Sequence, residues 1–159
     1  GLQTVERSDT ISLAALTEEV FCDLDPVAEK HQVRLIQTDG DCTVTGSYIL
    51  LYRAVYNLVE NAIKYNRPSG SVTVNIHSAE SAVLEVTDTG IGISPENQEK
   101  IFDPFYRVDK SRSRAMGGAG LGLALVSEIA RQHNGQVKVT QSSEKGSTIA
   151  LILPKSTDY

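Results

Sequence analysis

The chain has no tryptophan, one methionine and only two cysteines in 159 residues. Cys22 and Cys42 show neither metal-ligand spacing nor a C-x-x-C pair, which excludes a cysteine-built zinc site and a disulfide framework and fits a reducing compartment. Long apolar runs are missing too: none approaches the roughly 18 residues of a membrane span, and no signal peptide is recognisable. Positive charge is short, with 15 Lys and Arg against 20 Asp and Glu and a net charge of −5. That argues against a general nucleic-acid binder, because phosphate affinity needs clustered cations. There is no GK[ST] of a Walker A loop, no internal repeat and no low-complexity segment. What is present is ordinary for a globular protein: 40% hydrophobic and 22% charged residues, in a length that suits one domain.

Periodicity organises the chain. Leu13, Leu16, Val20, Leu24, Val27 and Ala28 follow Ser12, a good N-cap, and predict a first helix bent or broken near Pro26. VRLIQT (33–38) and TVTG (43–46) read as short strands about a turn at Asp39-Gly40-Asp41. A second helix is expected from about Ser47 to Tyr65, stopped by RPSG. SVTVNIH (71–77) and AVLEVTD (82–88) alternate at period two and predict an antiparallel hairpin. Residues 107–120 lack hydrophobic periodicity, carry Arg107, Lys110, Arg112 and Arg114, and are the best candidate for a mobile loop. A third helix is expected over about Leu121 to Gln132, closing at His133-Asn134-Gly135, where His133 would favour the helix dipole if charged. A last hairpin, QVKVTQSS and STIALILP, turns at Glu144-Lys145-Gly146. Helices on one face of a mainly antiparallel sheet make a two-layer α+β sandwich, with strand order left open.

Two kinds of feature need a chemical reason. On the second helix, NLVENAIKYN (57–66) places Asn57, Glu60, Asn61 and Lys64 at i, i+3, i+4 and i+7, one face of a helix. Leu51, Val55, Leu58, Val59 and Ala62 lie opposite, with Ile63 at their edge. The apolar face packs on a core; the polar stripe has no such explanation. Then come three glycine elements: DTGIGI (88–93) after a strand, GAGLGL (118–123) opening a helix, and Gly146-Ser147-Thr148 at a hairpin turn. A lone GxG after a strand is most often a tight turn. Glycines at a helix start allow close backbone approach, and the free N–H groups there suit a phosphate. The GxGxG spacing, without a preceding strand, is not the dinucleotide fingerprint.

Taken in order, NLVENAIKYN, DTGIGI, FDPFYR, GGAGLGLALV and GST resemble the N, G1, F, G2 and G3 boxes of the sensor histidine kinases. The resemblance covers roughly residues 10 to 155, and five boxes in register are highly specific. It implies the histidine kinase/gyrase-like ATPase fold, with about three helices on a five-stranded sheet, and a domain that binds ATP and Mg²⁺. It implies roles residue by residue. Asn61 would hold Mg²⁺ through its side-chain oxygen, a hard donor for a hard cation. Asn57, one turn away, would support metal, its waters or phosphate, and Lys64 would place a point charge on a phosphate. Tyr65 is similar to a family aromatic near the nucleotide. Glu60 is left between a solvated position and a role in ordering metal-bound water. Asp88 would accept a hydrogen bond from the adenine 6-amino group. Gly90, Gly92 and Ile93 would let backbone pass close to the base, and Thr148 would help through a water or hydroxyl contact. Gly118, Gly120, Leu121, Gly122 and Leu123 would form the phosphate-facing helix start. Arg107 would present a guanidinium toward phosphate, while Lys110, Arg112 and Arg114 are ambiguous. Phe102 and Phe105 read as lid-hinge packing, compatible with a core role.

The family phosphorylates a histidine on a two-helix dimerisation domain, in a motif like H-E-L-R-T-P. None of His31, His77 or His133 has that context. The resemblance therefore implies a catalytic domain that is monomeric and inactive in autophosphorylation by itself. Its partners would be the dimerisation domain of the same receptor and a response regulator, with no nucleic acid. Gly1 in place of Met suggests an excised piece or a tag scar: 1–10 as linker remnant or scar, 11–155 as the catalytic domain, 156–159 as a tail. The location expected is cytoplasmic, within a parent anchored in the cell membrane. The alternatives are a nucleotide-binding module without kinase activity, an anti-sigma-type serine kinase, or a gyrase-like ATPase. That last would carry a catalytic Glu where this chain has Asn57, a poor base.

Overall fold

The computed structural model describes residues 9–104 and 122–156. Strand β1 (Asp9–Ser12) leads directly into helix α1 (Leu13–His31). Ser12 caps that helix, its Oγ accepting from Ala15 N at 3.1 Å. Asp41 joins the cap, Oδ2 accepting from Ser12 Oγ and Oδ1 from Ala14 N, both at 2.9 Å. The expected break at Pro26 is absent, and α1 is continuous through it. Pro26 and the residue one turn before it, Cys22, both face solvent, so water can satisfy the carbonyl that proline leaves without a donor.

Strands β2 (Arg34–Gln37) and β3 (Thr43–Gly46) do not pair with each other about the intervening turn. β2 pairs in parallel with β4 (Ser71–Ser78), while β3 pairs antiparallel with β1. The turn carries Asp41 away to cap α1, and that contact separates the two strands into different sheets. β1 also begins at Asp9, inside the stretch read as linker. Helix α2 (Tyr48–Lys64) is capped by Ser47 and followed by the β4–β5 hairpin, β5 being Ala82–Asp88. After two short 3₁₀ turns, Pro95–Asn97 and Lys100–Phe102, come α3 (Gly122–Gln132), β6 (Gln136–Ser143) and β7 (Gly146–Leu153). The five-stranded sheet has the order β2-β4-β5-β7-β6, antiparallel except at β2–β4.

The three described helices cover one face of this sheet, the α+β sandwich that the alternation predicts. Val72, Val74 and Ile76 of β4, Leu84 and Val86 of β5, and Leu151 and Leu153 of β7 point into the core. They meet Leu16, Val20 and Leu24 of α1, Leu58, Val59 and Ile63 of α2, and Val126 and Ile129 of α3. Ile63, read as an edge position, is fully buried. Burial of each such leucine contributes about 1.5–3 kcal/mol, so α2 is held by its apolar back and its polar front is free for other work. On the α1 side of α2, Tyr48 and Tyr52 donate to Glu19 and Asp23 and stack with Tyr56 in a ladder.

His133 corrects its expected role as a dipole cation. The ring is buried against Gly46, and Nε2 accepts from Ser47 N at 3.1 Å while Nδ1 lies 2.8 Å from the Ile129 carbonyl oxygen. An accepting Nε2 leaves the proton on Nδ1, which donates to Ile129: the neutral tautomer. His133 thereby pins the end of α3 to the start of α2.

Candidate functional site

The site is built on the C-terminal end of β5, the end of α2 and the β6–β7 turn. Asp88 is the last residue of β5, and alternation with Leu84 and Val86 points it to the helix face. Its Oδ1 accepts from Gly90 N at 2.8 Å and from Ser147 N at 3.3 Å. Oδ2 bonds no other described residue. Burial pushes the Asp88 carboxyl above the usual carboxylate range, and the two backbone N–H bonds pull it partly back. A carboxylate oriented by one oxygen and open at the other is an acceptor waiting for a donor.

The loop after Asp88 is tied at both ends. Thr89 Oγ1 accepts from Ser71 N and donates to Asn66 Oδ1, each at 2.9 Å, and Asn66 Nδ2 donates to the Ser71 carbonyl at 2.9 Å. This fastens the loop to the residues that follow α2. At the other end Ile93 N donates to Ser142 Oγ at 2.7 Å, and Gln98 Nε2 donates to the Ile93 carbonyl at 3.0 Å. Gly92 sits at φ 78° and Gly146 at φ 135°. A Cβ on Gly92 would lie 2.0 Å from the Ser143 carbonyl oxygen, and one on Gly146 1.9 Å from that of Asp88. Both glycines are required by conformation and by close approach.

Asn57, Glu60, Asn61 and Lys64 share one face of α2, as their spacing predicts. Asn61 is buried and the other three half-buried. Lys64 Nζ lies 3.8 Å from Glu60 Oε2, a loose pair on the surface. Neither Asn57 nor Asn61 hydrogen-bonds through its side chain to another described residue. Tyr65 is the C-cap of α2, half-buried, with its carbonyl against Gly90. Gly122 opens α3, and Leu123 packs on the core. Among the described residues no three His, Cys, Asp or Glu side chains gather as metal ligands. A metal would have to rely on amide oxygen, phosphate and water, and Asn61 offers such an oxygen beside Lys64. Phe102 ends the second 3₁₀ turn, whose Ile101 is buried. Arg107, Gly118, Gly120 and Leu121 lie outside the described residues, as do Phe105, Lys110, Arg112, Arg114 and the whole loop expected at 107–120.

Thr148 is not where the resemblance implies. Thr148 stands opposite Thr87, and their hydroxyls meet at 2.9 Å on the sheet face turned away from the helices. The residue beside Asp88 is Ser147, its register partner. Strand parity decides this, because neighbours along a strand point to opposite faces. Ser142 lies outside every motif, and Ser147, Asn66 and Thr89 lie inside motifs whose reading gave them no role: small polar residues carry no distinguishing pattern by themselves.

A family model described as histidine kinase-, DNA gyrase B- and HSP90-like ATPase matches residues 46–157. The sensor-like histidine kinase SenX3 of Mycobacterium tuberculosis is 46% identical over 158 residues, covering 97% of this chain and 38% of SenX3. The chain thus spans well under half the length of that relative. The solved structure of the mycobacterial sensor histidine kinase MprB superposes with a TM-score of 0.78 at 26% identity, covering 95% of this chain and 99% of that one. Full-length ShkA in complex with AMPPNP shares the fold, with a TM-score of 0.85 at 23% identity over 99% of this chain and 33% of ShkA. By motif, fold and descent, the chain belongs to the histidine kinase-, DNA gyrase B- and HSP90-like ATPase family, and over nearly its whole length it is similar to part of the sensor histidine kinases.

Proposed function

We propose that this domain binds Mg²⁺-ATP and passes the γ-phosphoryl group to a histidine on a dimerisation domain of the same receptor, for relay to an aspartate of a response regulator. The observation that carries the reading is the half-committed carboxylate of Asp88. Oδ1 is spent on Gly90 and Ser147, and Oδ2 is left for the 6-amino group of adenine. Guanine would offer a 6-oxo acceptor there instead, and two acceptors repel. Ser147 takes the place beside the base that the motif reading gave to Thr148. Asn61 supplies an oxygen to Mg²⁺, Asn57 supports the same shell, and Lys64 sets its ammonium on phosphate. When bound, Mg²⁺ neutralises charge on the transferring phosphoryl group. On the motif resemblance, Arg107, Gly118, Gly120, Leu121, Gly122 and Leu123 would complete the phosphate end.

Two of the chain's three histidines are engaged in contacts of the fold, which supports an acceptor in another domain. Both ring nitrogens of His133 are engaged in a buried joint. His77 pairs with Glu85 at 3.3 Å on the sheet face away from the helices. Asn57 gives water no strong base, so hydrolysis is slow. No described helix is long and apolar enough to cross a membrane; the cytoplasmic location and a membrane anchor elsewhere in the parent belong to this proposal. The deciding experiment supplies the dimerisation domain in trans with labelled Mg²⁺-ATP. Acid-labile phosphate should appear on that domain and not on the chain incubated by itself. Stoichiometric label on the chain alone would overturn the reading, and equal affinity for ADP and GDP by calorimetry would remove the adenine assignment.

A further inference from the structure

Strand β6 changes parity in front of the site. Val137 and Val139 alternate inward, Val139 opposite Ile149, but the register then shifts and Gln141, not Thr140, stands opposite Thr148. Thr140 is the extra residue of a β-bulge. Unshifted pairing would set Gln141 opposite Ser147; the bulge puts Ser142 there. Bulges near functional sites re-aim a side chain in this way.

The hydroxyl so aimed has a defined task. Ser142 Oγ accepts from Ile93 N at 2.7 Å and lies 3.1 Å from Ser147 Oγ. Ser147 in turn donates its backbone N–H to Asp88 Oδ1. One side chain thus joins the far end of the Asp88–Ile93 loop to the strand that orients the carboxylate. Gln98 takes the Ile93 carbonyl, so both backbone polar groups of Ile93 are fixed. We infer that Ser142 is a positioning residue for nucleotide specificity, holding the loop at the distance from Asp88 that an adenine requires. Ser142 lies outside all five motifs, and the inference rests on the adenine reading above. A loop released at Ile93 can drift from Asp88, and the site then separates a 6-amino base from a 6-oxo base less well.

The test uses this chain with ADP and GDP in calorimetry, and hydrogen exchange at the Ile93 amide. Ser142→Ala removes the acceptor; it should weaken ADP about tenfold, the scale of one hydrogen bond, and lower the ADP-to-GDP preference. The Ile93 amide should exchange faster without ligand. Ser142→Thr keeps the hydroxyl in a residue suited to strands and should restore affinity, preference and protection. Gln141→Ala, on the opposite face, should change none of them. Wild-type affinity and preference in Ser142→Ala overturn the inference. So does equal loss in Ser142→Thr with a lowered melting temperature, which marks a packing role alone. A wild-type chain that binds ADP no better than GDP brings down the adenine reading and the specificity role with it. Wild-type preference that survives Ser142→Ala brings down only the role of Ser142.

Discussion

The base end and the phosphate end of the proposed nucleotide site are built on different principles. At the base end, Asp88, Thr89, Gly90, Ile93, Ser142 and Ser147 are placed by direct hydrogen bonds, three of them between segments far apart in the chain. At the phosphate end, Asn57, Glu60, Asn61 and Lys64 are placed by helix periodicity, and only a 3.8 Å Lys64–Glu60 pair links them. The base end is therefore preorganised before any ligand arrives. The α2 stripe takes its direction from the helix, and among the described residues no hydrogen bond holds the Asn57 or Asn61 side chain, so on the proposed reading metal and phosphate supply the order there. Preorganisation spares binding the cost of ordering side chains, so affinity should reside chiefly at the base end and catalysis at the phosphate end.

The sharpest way to break this contrast is Asn61→Ala. Transfer to added dimerisation domain should fall on the order of a hundredfold, the scale of one lost electrostatic contact to a transition state, while ADP affinity changes far less. Labelled transfer beside calorimetry measures both; parallel losses would erase the division of labour. Asp88→Asn should do the reverse, costing about 1.5–3 kcal/mol of nucleotide binding, the worth of a hydrogen bond to a charged group. The fold should survive, because the substitution also removes the cost of burying a charge.

Acid should mimic that substitution in part. The folded carboxyl of Asp88 titrates above its ordinary value because it is buried. A 6-amino donor prefers the carboxylate, so ADP affinity should fall as pH drops through that raised value, with proton release on binding in the same window. Calorimetry in buffers of different ionisation enthalpy reads both. The linkage to stability has the opposite sense. A raised folded pKa gives a contribution fully present below the unfolded pKa and lost as pH rises through the folded one. Asp88→Asn should flatten that stretch of the stability profile in urea unfolding. The smallest effect belongs to Glu60→Gln, which should shift stability by less than about 0.5 kcal/mol because its partner is loose and partly exposed. A marked loss of transfer in that variant would assign Glu60 to ordering metal-bound water rather than to a solvated position.

The sequence makes legible whatever is local and periodic. Helix α2, with both its faces, and the two hairpins are visible because their signals lie within a dozen residues. The identity of Asp88 and the order of the glycine elements follow from motif. What stays hidden depends on distant partners. β1 is four residues long and is defined by its pairing with β3. The parallel β2–β4 pair depends on a crossover through α2, with no local sign. Thr148 is misread because one step of parity separates it from Ser147, and Ser142 because a single extra residue reverses parity on β6. The ring of His133 looks like an ordinary helix end until Ser47 is seen to donate to it.

The order of strands has a consequence for how the domain comes into being. β7 is the last strand along the chain, yet it lies inside the sheet between β5 and β6. A nascent chain emerging from the ribosome holds β5 with one side unpaired until β7 follows. Asp88 is synthesised 59 residues before Ser147, so its carboxylate lacks that cross-strand donor until the chain has grown by that length. On the proposed reading, nucleotide should not steady the early intermediates, because the base end closes only with β7. Chaperones that shield open strand edges are accordingly expected to engage this domain late, and a chain stopped short of Gly146 should aggregate rather than bind.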